Sequence, residues 1–117
     1  MTLRNETTGA TVAAAVRRAR SWRERFAGFL GRTRIADGEG LWFENCNAIH
    51  TLGMRTRIDV VFLDAAGLVQ RIAVRVRPHR LFVGCFRAQT VVELAPGTAE
   101  RIDLLVGDRL RLIPAAR

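Results

Sequence analysis

Lysine is absent from the 117 residues, and so is tyrosine; all 19 basic side chains are arginine. Without lysine there is no Schiff base, no phosphate-loop lysine and no kinase lysine, so pyridoxal enzymes, P-loop NTPases and protein kinases are excluded. Serine occurs once, as Ser21 in a Ser-Trp-Arg-Glu-Arg run. It lacks the strained glycine turn that exposes a hydrolase nucleophile, which argues against a serine hydrolase. Long apolar runs are missing too. Nothing approaches the roughly 18 to 20 residues that span a bilayer, and Val12 to Val16 is shorter than the roughly 7 to 15 residues of a signal-peptide core. A cytoplasmic protein with no membrane span is the expectation. Cysteine is limited to Cys46 and Cys85, too few for a disulfide framework, and free thiols are expected in a chain without an export signal.

What is present is an apolar fraction of 49%, enough for one compact domain. The formal charge of +8 is unevenly spread. Residues 1–35 carry eight arginines against Glu6 and Glu24, whereas residues 36–117 carry eleven against nine acids. Such a skew can mark contact with phosphates or anionic lipid. Arginine throughout, at the expense of lysine, also fits a plain solvated basic face. An arginine-rich nucleic-acid-binding module is therefore an alternative and not the first reading. The stripe Arg71, Arg75 and Arg77 lacks the interleaved aromatics of single-strand binders, which counts against nucleic acid.

Residues 1–9 are polar and read as a flexible tail, with residues 10–117 as a single globular domain. Over 10–20 the pattern fits either a helix (Val12, Val16) or a strand with small residues on one face. Ser21 with Glu24 resembles a capping box, and Trp22, Phe26, Phe29 and Leu30 follow at helical spacing, predicting a helix over 22–31 that ends at Gly31. Strands are predicted from Leu41, over Ile58 to Leu63 (buried on both faces, with Asp59 the one interruption), and over Thr90 to Leu94. Asp64 to Gly67 reads as a hairpin loop. In the return run, Leu68, Ile72, Val74 and Val76 are expected to face the core, opposite Arg71, Arg75 and Arg77. A short extended piece at Leu81 to Phe86, a short helix capped by Thr98 and running to about Leu105, and a closing strand with Leu110 and Leu112 inward complete the chain. The fold class is α+β: a β-dominated small single domain, a curved sheet or partly closed barrel with one main helix and one short helix.

Several short motifs occur in order: Arg23 to Arg32, Gly40-Leu41-Trp42-Phe43, Ile49-His50-Thr51-Leu52-Gly53-Met54, Ile58 to Asp64, Val92-Glu93-Leu94 and Gly107-Asp108. In this order they resemble the domain of unknown function 192 family, also called uncharacterised protein family 0127, over nearly the whole chain after residue 10. The resemblance implies a small β-dominated α+β domain whose first strand precedes the helix, which favours strand over 10–20. Many members have Trp-Met-Lys-Asn-Thr where this chain has Ile-His-Thr-Leu-Gly-Met, so it resembles a histidine-bearing variant; many members are also exported. Asp59 and Glu93 match an aspartate and a glutamate of the family motifs, and the resemblance gives neither a catalytic role.

Three constellations could carry chemistry. Cys46, His50, His79 and Cys85 are the soft or imidazole ligands, and strand parity permits a four-ligand zinc site; their spacing matches no familiar finger, so no metal and no cofactor is expected. Cys46 or Cys85 could act as a thiolate with His50 as base and Asp59 or Glu93 orienting it, making a thiol- or metal-dependent enzyme at Cys46 and His50 the alternative reading. Trp42 with His50, Thr51, Arg55, Arg57 and Asp59 could instead frame a small anionic ligand or a peptide end. The first choice is thus a non-enzymatic ligand- or peptide-binding accessory module at Trp42, His50, Thr51, Arg57 and Asp59. Asp59 and Glu93 each sit in an apolar strand, where an unpaired carboxylate is costly, so each is expected to have a partner.

Overall fold

The computed structural model describes residues 1–20 and 29–114. Its elements run β1 (Thr2–Asn5), β2 (Thr11–Ala13), β3 (Ala15–Arg18), β4 (Glu39–Glu44), β5 (Ala48–Ile49), β6 (Ile58–Leu63), β7 (Val69–Val76), β8 (Val83–Gly84), β9 (Thr90–Leu94), α1 (Thr98–Arg101) and β10 (Leu110–Ile113). They form a five-stranded sheet in the order β3-β4-β9-β6-β7, a three-stranded sheet β10-β1-β2 and a two-stranded ribbon β5-β8. Only the β3–β4 pairing is parallel among these. The domain is β-dominated, as expected, but the sheets of the described residues do not close into a barrel.

The register of β9 against its neighbours sorts the side chains. Residues directly opposite one another point to the same face of a sheet. Leu41, Glu93 and Val60 are aligned across β4, β9 and β6, as are Phe43, Val91 and Phe62. This face belongs to a cluster that also takes in Phe29, Ile35, Met54 and Val83. The other face carries Trp42, Val92 and Val61 in one row and Gly40, Leu94 and Asp59 in the next. It packs with Leu3, Val12, Leu104 and Leu110 from the three-stranded sheet and the α1 region. Covered on both sides, β6 is buried at every position, which is why its sequence is apolar apart from Asp59. Each large apolar side chain sealed here contributes roughly 1.5–3 kcal/mol.

Four expectations are corrected. Residues 2–5 are not a tail: Leu3 is completely buried, and β1 is the centre strand of its sheet, between β10 and β2. One buried leucine in a polar stretch gives no periodicity to read. The segment 10–20 is extended, as the resemblance implied, but as two strands in different sheets. The return strand does not keep its parity. Register shifts between Ile58 and Val60 and between Phe62 and Leu63, with Arg75 at φ 47°, leave Val69 buried and Val74 47% exposed. A bulge inserts a residue and reverses inside and outside beyond it. Finally, α1 covers Thr98–Arg101 and is capped by Gly97 at φ 89°, while the Thr98 hydroxyl donates to the Ala95 carbonyl. The helix expected over 22–31 lies outside the described residues apart from its last positions, where Phe29 is buried and Leu30 exposed.

Candidate functional site

Asp59 is fully buried, on the face of the sheet that carries Leu94 and Gly40. Its Oδ1 accepts the Arg75 N–H at 2.9 Å and its Oδ2 accepts the Ala99 N–H at 2.9 Å. One carboxylate thus fixes the bulge in β7 and supplies the acceptor that Gly97, without a side chain, cannot give to the first turn of α1. A nearby arginine or backbone amides could serve this group as partner; it has two backbone amides.

Glu93 points to the opposite face and is 5% exposed, between Leu41 and Val60. It has no hydrogen-bonding or charged partner among the described residues. Burial alone pushes its carboxyl up to about 7. Two carboxylates that look alike in the sequence therefore differ completely: one is satisfied and structural, the other lies in an apolar layer without a partner among the described residues.

Thr51 is buried and ties two loops together. Its hydroxyl donates to the Arg77 carbonyl at 2.7 Å and accepts the Arg80 N–H at 2.7 Å. Its backbone adds two further bonds, its N–H to the Arg80 carbonyl and its carbonyl from the His79 N–H. His50 and His79 each accept a backbone N–H at Nδ1, from Leu52 at 3.2 Å and from Gly53 at 3.3 Å. Arg57 is exposed at the start of β6. Cys46 and Cys85 are free and pack against the cluster that contains Phe43 and Phe62.

The expected groupings come apart along the sheet. Trp42 and Asp59 lie on one face, whereas Glu93 and the two cysteines belong to the other, so neither thiol shares a face with Asp59. No three of the His, Cys, Asp and Glu side chains converge as metal ligands among the described residues, so Cys46, His50, His79 and Cys85 do not form the zinc tetrad that parity permits. Cys46 borders a cavity of about 340 Å³ with Asn45, Asn47, Ala48, Ala88 and Gln89, a lining without imidazole or carboxylate, and its thiol donates to the Ala48 carbonyl at 3.1 Å.

Trp42 has different company from that expected. Arg18 is its direct neighbour across the β3–β4 pairing. Together with Leu63, Thr90, Arg111 and Leu112 they line a groove of about 250 Å³, rimmed by the Asp64–Gly67 turn. The groove lies where the five-stranded and three-stranded sheets part, at the open end of the inter-sheet core. Arg18 Nη2 sits 3.3 Å from Glu44 Oε1, which also accepts the Trp42 indole N–H at 3.1 Å. Arg18 Nε is buried without a hydrogen-bond partner among the described residues. Arg111 lies 3.7 Å from Glu6. Both ion pairs are exposed and so worth at most about 1 kcal/mol each. The Asp64 carboxylate at the rim is occupied by the Ala66 and Leu68 amides and by Gln70 Nε2. Arg18 and Arg111 were missed from the sequence because they belong to strands of two different sheets; Arg18 sits in a pairing that joins distant segments.

A family model described as Uncharacterized ACR, COG1430, the domain of unknown function 192, matches residues 3–112. The chain belongs to this family. No curated protein matches the sequence significantly. Among solved structures, a proposed transcription regulator from Sinorhizobium meliloti 1021 is similar with 23% identity and a TM-score of 0.81, over 94% of this chain and 89% of that one. A protein of unknown function from Novosphingobium aromaticivorans DSM 12444 is similar with 20% identity and a TM-score of 0.80, over 95% and 82%. At these identities the likeness establishes the fold of this DUF192 chain and not an activity.

Proposed function

We propose that this DUF192 protein is a non-enzymatic binding module whose groove beside Trp42 takes a small anion with a flat or apolar body. The observation that carries the reading is the meeting of an indole wall with two lightly held guanidinium groups, Arg18 and Arg111, in one groove. An arriving carboxylate or phosphate would meet the accessible part of the Arg18 side chain, which is 35% exposed. It would replace exposed ion pairs of little strength with charge-assisted hydrogen bonds in a more enclosed place. Leu63 and Leu112 would receive the apolar body, in the usual division of a small-molecule site into apolar walls and a few polar anchors. A thiol enzyme draws less support, since no base among the described residues lines the cavity beside Cys46.

The test is a titration with benzoate, phenyl phosphate and adenosine monophosphate, each beside a neutral analogue such as benzamide or adenosine. A ligand of the native state raises the melting midpoint. The tryptophans are Trp22 and Trp42, so the emission change should survive Trp22→Phe and vanish in Trp42→Phe. Arg18→Gln and Arg111→Gln should each weaken binding about tenfold or more. Neutral analogues binding as well as the anions, or no shift with any of these probes, would end the reading.

A further inference from the structure

Away from that groove, Leu81, Phe82 and Phe86 are 77%, 68% and 98% exposed, an arrangement seldom left to water without a use. They belong to the connection 80–88, and this connection is tied down. Thr51 holds Arg80 through both backbone and hydroxyl, the Cys85 N–H donates to the Asn47 carbonyl, and Arg71 Nη1 donates to the Gly84 carbonyl. The Thr51–Arg80 bonds bring exposed Leu52 beside the base of the same connection. The Phe82 ring folds over Gly84, where a Cβ would come within 2.5 Å of the ring. A connection whose backbone is already held loses little conformational entropy when its side chains are covered, a property of binding anchors.

Charge identifies the occupant. Residues 45–58 and 65–92, which build these loops and their supports, hold seven arginines and not one aspartate or glutamate. Arg80 and Arg87 flank the apolar residues directly and are exposed. A second copy of the chain would set one arginine rim against another, so self-association on this face is opposed by like-charge repulsion. We infer that Leu52, Leu81, Phe82 and Phe86 form a docking surface for an acidic segment of another protein, its apolar side chains on the phenylalanines and its carboxylates on the flanking arginines. The mixture of leucines with phenylalanines favours such a segment over single-stranded nucleic acid, whose bases need flat rings and gain little from leucine.

The experiment uses a fluorescein-labelled amphipathic peptide of leucine, phenylalanine and glutamate, the same peptide with glutamine for glutamate, and a short labelled oligothymidylate, each titrated with the whole protein by anisotropy. The acidic peptide is expected to bind, with affinity falling as salt rises. The glutamine peptide and the Phe82→Ser/Phe86→Ser double variant should each lose about tenfold or more. Both phenylalanines are exposed, so the double variant should keep the parent far-ultraviolet circular dichroism and melting midpoint. Trp42→Phe and Arg18→Gln should leave peptide affinity unchanged, which separates this surface from the groove. Equal binding by the double variant, equal binding of the glutamine peptide, or tighter binding of the oligothymidylate would overturn the inference.

Discussion

Replacing Glu93 by Gln should make the protein more stable at neutral and alkaline pH while removing most of its pH dependence between about 4.5 and 7. The folded carboxyl is pushed up to about 7 from an ordinary value of 4.5 by burial alone. Below pH 4.5 the group is protonated in both states, and its ionisation costs folding nothing. As pH rises from 4.5 to 7, the unfolded chain releases its proton and the folded chain keeps it, so stability falls by about 1.4 kcal/mol per pH unit. Above 7 both states are ionised and the full penalty, about 3 kcal/mol, is in place. Glutamine keeps an amide that must also be buried, at about 1–2 kcal/mol. The net gain near pH 8 is therefore about 1–2 kcal/mol, or several degrees in the midpoint for a domain of this size. Urea unfolding at a series of pH values from about 5 to 8, on both proteins, measures this directly. If the parent and Glu93→Gln curves stay parallel across that range, or if the variant is less stable at pH 8, Glu93 has a partner in the folded protein and the reasoning fails.

Asp59→Asn should act in the opposite direction. It replaces an ionised acceptor of two backbone N–H groups with an amide whose NH₂ opposes one of them, and should cost about 2–3 kcal/mol by urea unfolding; a neutral result would show that the two amides find other acceptors. Thr51→Val removes a hydroxyl that donates to Arg77 and accepts from Arg80, leaving both backbone groups short, and should cost about 1–3 kcal/mol while increasing amide exchange at Arg80. Gly67→Ala meets two obstacles, a φ of +84° and a Cβ only 2.6 Å from the Leu110 carbonyl oxygen, and should cost about 2 kcal/mol or more; a thermal midpoint equal to the parent's would refute the close approach of the hairpin to β10.

The elements legible in the sequence are those whose environment is uniform along their length. β6 and β9 are covered on both faces and read as apolar runs interrupted inside only by Asp59 and Glu93, and the Asp64–Gly67 hairpin carries its own turn chemistry, with Asp64 Oδ1 accepting the Ala66 and Leu68 amides. β1 was not legible because one buried leucine among polar residues carries no period, and its burial comes from β2 and β10, the latter more than a hundred residues away. The failure in β7 has a different origin. The register shifts twice along β7, opposite Ile58–Val60 and opposite Phe62–Leu63, and the first shift lies where Asp59 accepts the Arg75 amide, a long-range contact that leaves no mark in the strand's own sequence.

The candidate site follows the same logic at one remove. Trp42 stood out because it is large and sits in a strand, and its indole does line a groove, yet the partners proposed for it were its neighbours in sequence. A strand passes successive side chains to opposite faces, so the residues that share a surface with Trp42 come from paired strands and the facing sheet: Arg18 across the parallel pairing, Arg111 from β10. His50 and Thr51, eight and nine positions further on, had already left that strand for a loop whose hydrogen bonds run to residues 77–80. The two carboxylates separate for the same reason. Asp59 and Glu93 both interrupt apolar strands, but in the β6–β9 register Asp59 falls opposite Leu94 and Glu93 opposite Val60, one step apart. That single step sends one carboxyl to backbone donors between the sheets and the other to a layer of leucine and valine, and only pairing across the sheet, which no local pattern encodes, decides which is which.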